Sequence, residues 1–458
     1  MAFTTKPSQC LNSFLGSLCT KVNSESFGAF VIANWRILVI ISISILEAVL
    51  NLGRYWGDSE IYISLSNFFL GKNPDYLEQV PQPYTSSPRR PMIPFLASLL
   101  MPTLGAPLSY GVINTFFWVG AVVVSYKTAE IVSDKTRAFL TALFFTTSIP
   151  MIAYGSSILT DVGGYFAVGV SLYLCLFERG KRMRRRTYLI QALLLTLACL
   201  INEMAIVGLL FVLFIRAKER RGIIESLVAV GTVIVGAIVV VSLDPSYSKF
   251  IVKAFEFYIR RYIFELSMVV RGGPVFTDAL IWTFRIYSPL AILYSVPLLD
   301  IFAYYTLRYF FVIFIVLLAV GLYDISEKET TYSFLPFLAL YVFISRLNIE
   351  RYLFVLWPVF VPALVFGSHK VIQYLLGSIF RASSAITRAL STSGSAASKN
   401  VTETRICQSI KSNATRKIDL LSSLVLAAWI IYQAYRNTLD IALQFGLSPV
   451  LTYIVWSL

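Results

Sequence analysis

Histidine occurs once in 458 residues, as His369, and that scarcity excludes more chemistry than any single motif establishes. Histidine metal cages, a zinc-binding HExxH helix and a Ser-His-Asp triad would each have to pass through this one residue beside Lys370. The cysteines, Cys10, Cys19, Cys175, Cys199 and Cys407, are scattered and show no CxxC spacing, so neither a disulfide framework nor a zinc site is supported. No GxxxxGK(S/T) phosphate loop occurs, which removes the cradle an ATP-driven pump needs. Charged residues make up only 14% of the chain.

What fills the chain instead is apolar: 57% hydrophobic residues, 15% aromatic, and a mean hydropathy of +0.71. This composition defines an all-α polytopic membrane protein. The net charge of +14 does not point to nucleic acid, because the basic residues gather in short runs between apolar segments, at Arg179 to Arg186 and Arg216 to Arg221. Such runs orient membrane spans, and the basic stripe with stacking aromatics that nucleic-acid binding needs is missing. The first twenty residues are polar and lack the features of a cleaved leader, so the first span is expected to remain as an anchor. The membrane is expected to be the cell membrane, or the endoplasmic reticulum in a eukaryote.

Apolar runs fall near 37–53, 91–106, 109–126, 138–154, 162–177, 187–201, 204–217, 223–243, 278–299, 301–323, 332–345, 352–368, 418–436 and 440–457. If all of them crossed, the Arg179 to Arg186 cluster would share a side with the acidic loop after the first span, against the positive-inside rule. Laying 91–106 at the outer interface removes the conflict, and its length of about 24 Å falls short of the roughly 30 Å hydrocarbon core. Residues 187–217 are expected as a hairpin of two short helices with Asn202-Glu203 at its outward apex. About ten to twelve spans result, with interfacial helices in the external loops.

The expected organisation is a cytoplasmic segment 1–36 and a transmembrane module 37–376, followed by a basic Ser/Thr-rich cytoplasmic linker 377–417 and a C-terminal hydrophobic pair 418–458. The module carries a first external loop at 54–108 and a later one at about 244–277. In the later loop Phe250 to Val270 read as an interfacial amphipathic helix. The linker holds Arg381, Arg388, Lys399, Arg405, Lys411, Arg416 and Lys417 against a single acid, Glu403, and this outweighs the glycosylation sequons at Asn400 and Asn413. No repeat of the kind many transporters carry stands out.

Ionisable groups at a bilayer face are costly unless they work or find partners. Gly57-Asp58-Ser59-Glu60 opens the first external loop and Arg89-Arg90-Pro91 closes it. Asp58 and Asp161 can each be read as a helix N-cap or as an acidic site residue, and Glu203 as a polar turn or a site residue. Arg89 and Arg90 can hold phosphate or mark the headgroup boundary. Arg346 and Arg351 flank Glu350, with Arg351 a candidate for phosphate if it faces outward.

Gly57-Asp58-Ser59-Glu60-Ile61-Tyr62, Arg90-Pro91-Met92-Ile93-Pro94, Leu159-Thr160-Asp161, Ile201-Asn202-Glu203 and Glu350-Arg351-Tyr352 follow one another across about 57–358. In this order they resemble the GT-C glycosyltransferases, in the branch of the dolichyl-phosphate-mannose protein mannosyltransferases and bacterial aminoarabinose transferases. The resemblance implies a GT-C-like helical bundle and inverting transfer of a sugar from a polyprenyl-phosphate donor to a protein, lipid or glycan acceptor. Transfer would take place on the external or luminal face. Asp58 would be the general base, with Glu60 and Asp161 as further acids. Arg351, Arg89 and Arg90 would face the donor phosphate, supported by Glu203, Tyr62 and Arg346. Relatives often have Lys-Glu at the hairpin apex where this chain has Asn202-Glu203. No cofactor is fixed by these residues; a metal at Asp58 and Glu60 would be a hard, oxygen-bound ion such as Mg2+ or Mn2+. The alternatives are a non-enzymatic lipid-linked-sugar flippase, a small-solute transporter, or a scaffold that has lost its activity.

Overall fold

The structure is a computed structural model that describes residues 24–56, 58–72, 90–177, 357–391 and 403–445, with short stretches at 193–194, 197, 200–202, 231, 316–317, 319–323 and 325. Among these residues the chain is helical and has no strand, as an all-α membrane protein requires. Its helices in chain order are α1 (Ser24–Leu50), α2 (Ser59–Phe69), α3 (Met92–Val132), α4 (Lys135–Thr146), α5 (Ile149–Tyr154), α6 (Asp161–Phe177), α7 (Trp357–Ser391) and α8 (Glu403–Phe445). Three stretches, Met92–Val132, Val361–Ala385 and Ala414–Leu439, are long and apolar enough to cross a membrane. The expected interfacial helix at 250–270 lies outside the described residues.

α3 is two helices meeting at a kink. Gly105 adopts φ 70° and ψ 168° between Pro102 and Pro107, whose rings cannot continue a regular helical ladder. The break falls at the end of the run expected at 91–106, shortly before that at 109–126. The run expected as one span at 138–154 is also broken, because Ser148 is extended and a proline enters the first turn of α5. Helix α4 starts on a side-chain cap, with Asp134 accepting from the backbone N–H groups of Thr136 and Arg137 at 2.8 and 3.0 Å.

Both ends of the expected linker are helical: α7 continues through 377–391 and α8 begins at Glu403. α8 runs unbroken through 437–439, between the apolar runs at 418–436 and 440–457, and residues 446–458 lie outside the described residues. Nothing in that stretch is a helix breaker; Asn437 and Thr438 are polar but spend their side chains on tertiary contacts. The Asn413 sequon sits inside α8.

The main core joins α1, α3, α4, α6, α7 and α8 around Trp118, Phe145, Tyr165, Phe366 and Ile430. Buried hydroxyls are paired across it: Thr146 Oγ1 accepts from Trp118 Nε1 at 2.9 Å and lies 2.8 Å from Ser44 Oγ. The bundle has two ends of different character. At one, Trp35 meets Phe139, Arg137 lies over Phe366, and Arg36, Lys127, Arg137 and Lys370 collect. At the other, Asn437 donates to the carbonyl of Thr147 and Thr438 to Glu47, which ties α8 to the α4–α5 break and to α1.

The loop leaving α1 is fitted at that second end. Gly53 sits at φ +68°, and a Cβ there would lie 2.7 Å from the Pro107 carbonyl oxygen. Gly53→Ala therefore combines a left-handed backbone cost of about 1–2 kcal/mol with a backbone clash that no rotamer can relieve. A lowered melting temperature of the purified variant is the expected result.

Candidate active site

Two loops clasp each other where α1 ends and α6 begins. The N–H of Gly53 donates to Ser156 O and that of Ile158 to Arg54 O, both at 3.0 Å. Trp56 Nε1 donates to Ala153 O and Ser157 Oγ at 3.0 Å, and its ring lies 5.0 Å from that of Tyr154. Asn114 Nδ2 donates to the carbonyls of Ser157 and Leu159 at 2.7 and 2.9 Å, so α3 holds the second loop from behind. A buried amide is costly unless it is bonded, and these contacts engage the Asn114 Nδ2 group while fixing the loop.

Asp58 stands at the head of α2 in this clasp. It occupies the N-cap position but has helical dihedrals (φ −84°, ψ −7°) and makes no capping hydrogen bond. Helix capping therefore does not explain its presence. The local bonding runs through Ser59, whose Oγ accepts from Trp56 N at 2.7 Å and donates to Ile158 O at 3.1 Å. That bond places the head of α2 three residues in sequence from Asp161. Asp58 is half-buried and Glu60 is exposed. Burial, then the charge of Glu60, push the Tyr55 hydroxyl above its ordinary value, and burial pulls the Arg54 guanidinium below its own.

Behind the acid pair, residues far apart in sequence converge. Arg90 is 1% exposed and Asp161 fully buried. Arg90 Nη1 donates to Tyr62 Oη at 3.1 Å and to Thr160 Oγ1 at 3.4 Å, and lies 3.8 Å from Asp161 Oδ1. Asn202 Nδ2 donates to the same Asp161 oxygen at 2.8 Å. Tyr62 is fixed in turn, since its carbonyl accepts from Tyr110 Oη at 2.8 Å. Ile93, Leu159 and Ile201 from the same segments form a small apolar core beneath.

Four segments singled out in the sequence thus meet at one end of the bundle, opposite the basic end. Of the expected site residues, Tyr62, Arg90 and Asp161 are joined directly, and Asp58 and Glu60 open the adjoining helix. Arg89, Glu203, Arg346 and Arg351 lie outside the described residues. Sequence reasoning missed Trp56 and Asn114; the available signal for Asn114 was a carboxamide inside an otherwise apolar run. Asn202 was expected to mark only the hairpin apex, yet it bonds Asp161. Among the described residues no group of three His, Cys, Asp or Glu side chains could hold a metal ion.

No protein-family model matches the chain, and no curated protein does. Among solved structures it is similar to the archaeal oligosaccharyltransferase AglB from Archaeoglobus fulgidus in complex with an inhibitory peptide and a dolichol-phosphate. The likeness covers 91% of this chain and 56% of that one, at 16% sequence identity and a TM-score of 0.48. This chain therefore spans little more than half of that protein's length, and a likeness at this level carries no argument about chemistry.

Proposed function

We propose that this chain is a membrane glycosyltransferase of the GT-C type, moving a sugar with inversion from a polyprenyl-phosphate donor to an acceptor on the external or luminal face. The observation that carries the reading is the convergence at one end of the bundle: an acid that does not cap its helix stands beside the buried Arg90–Asp161–Asn202 node. In the proposed reaction the Asp58 carboxylate accepts the acceptor's proton as the acceptor atom attacks the anomeric carbon. The bond from that carbon to the phosphate oxygen breaks, and the phosphate leaves with the electron pair. Positive charge must meet the departing phosphate, and Arg351 is the proposed donor of it.

Arg90 and Asp161 take a holding role in this scheme. A guanidinium enclosed by Tyr62, Thr160 and Asp161 has its charge matched within the protein, and it locks the end of the first loop onto the head of α6. Glu60, exposed in the first turn of α2, is placed to meet solvent or acceptor.

The test is binding of a polyprenyl-phosphate sugar to the purified protein in nanodiscs, comparing wild type with Asp58→Asn and Arg351→Ala. Saturable binding that survives Asp58→Asn and weakens at least tenfold in Arg351→Ala is the expected outcome. Absence of binding to any lipid-phosphate sugar would overturn the reading in favour of a carrier or scaffold.

A further inference from the structure

Helices α7 and α8 form an antiparallel pair with a readable register. His369 Nε2 lies 3.0 Å from Ser423 Oγ, and four residues on, Gln373 Nε2 donates to Asp419 Oδ1, four residues back. Past Gln373, α7 carries Arg381 and Arg388, and before Asp419, α8 carries Arg405, Lys411, Arg416 and Lys417.

Outward-facing apolar residues line the pair up to these basic residues. Tyr374 is 70% exposed, Ile379 64% and Leu420 62%, with Leu375, Phe380 and Leu424 also exposed. So continuous an apolar surface on a membrane protein is covered by lipid. The basic residues begin where it stops: Arg381, Arg416 and Lys417 are exposed at its rim, and the helices beyond carry Arg388, Arg405 and Lys411. The acids nearby are Asp419, engaged by Gln373 and 3.7 Å from His369, and Glu403 at the start of α8. Like charges on paired helices repel unless an anion lies between or beside them. The same end of the bundle gathers Arg36, Lys127, Arg137 and Lys370, while the candidate site lies at the other.

We propose that the base of the α7–α8 hairpin is a binding site for the phosphate headgroups of anionic membrane lipids. The hairpin is anchored at the headgroup level by its own apolar girdle, so a lipid of the surrounding bilayer is the anion within reach; a soluble acidic partner would leave that girdle unexplained. The site is independent of the reading of Asp58.

The test uses the full-length protein in a neutral detergent and measures polarisation of an acyl-labelled phosphatidylglycerol with an intact headgroup. Labelled phosphatidylcholine and unlabelled inorganic phosphate serve as comparison and competitor. Expected are saturable phosphatidylglycerol binding that weakens as salt rises, at least tenfold weaker binding in the variant R381Q/R388Q/R405Q/K411Q/R416Q/K417Q, and retained binding in the charge-keeping R381K/R388K/R405K/R416K. Equal binding of phosphatidylglycerol and phosphatidylcholine, full competition by equimolar inorganic phosphate, or an unchanged affinity in the neutralised variant would each overturn the proposal. Loss of binding in the lysine variant would do so too, because charge would then not be the cause.

Discussion

Asp58→Asn is expected to reduce sugar transfer by about 10²–10⁴-fold, the range that a positioned general base contributes. The substitution keeps the shape of the side chain and removes its ability to take a proton. Asp58 makes no side-chain capping hydrogen bond, and Ser59 Oγ tethers the start of the helix to Trp56 and Ile158. Folded yield and melting temperature should therefore stay near those of wild type, and donor binding should persist. A variant that transfers sugar at the wild-type rate would remove Asp58 as the base, whatever the fate of the wider assignment. Ser59→Ala provides the contrast: it leaves the acid in place but cuts the tether between α2 and the Ile158 carbonyl, so its effect should appear in stability as well as in rate.

Arg90→Ala carries the largest expected effect on stability. Removing one partner of a buried ion pair leaves the other charge uncompensated, at a typical cost of about 3–5 kcal/mol. Here the loss strips the guanidinium from beside the fully buried carboxylate of Asp161, which keeps its hydrogen bond from Asn202, and it also removes a donor to Tyr62 Oη. The measurement is thermal unfolding in detergent for Arg90→Ala, Asp161→Ala and the double variant Arg90→Met/Asp161→Leu. Each single change should cost more than the double one, because the pair removed together leaves no stranded charge. If the double variant instead loses the sum of the two single costs, Arg90 and Asp161 act independently. The node would then not be what holds the loop.

The two predictions divide the acids of this end by work: Asp58 is exposed enough to meet a substrate, whereas Asp161 is closed off by Arg90 and Asn202. A sequence cannot make that distinction, since both acids stand at helix starts after an external turn. Burial decides between them, and burial depends on which segments fold over each carboxylate.

Much of the outline was nevertheless legible. Hydrophobic content and the near absence of charge inside the apolar runs required helices, because a backbone in lipid must satisfy its own hydrogen bonds. The order of acidic, arginine and polar motifs drew attention to Tyr62, Arg90, Asp161 and Asn202. The errors came from local pattern read without neighbours. A Ser/Thr-rich basic stretch looks like a linker, yet 377–391 and 403–417 are helical, because the two helices brace each other through Gln373 and Asp419. Between the apolar runs at 418–436 and 440–457, Asn437 and Thr438 bond Thr147 and Glu47, and α8 continues.

The sequence by itself determined the solvent this protein lives in, the helical class, and the short set of polar residues too costly to be idle in an apolar chain. Only the tertiary structure decided which of those residues meet. Hydropathy acts residue by residue and survives in the linear order, whereas the pairing of Arg90 with Asp161, 71 positions apart, exists only once α2, α3 and α6 have packed and excluded water from between them.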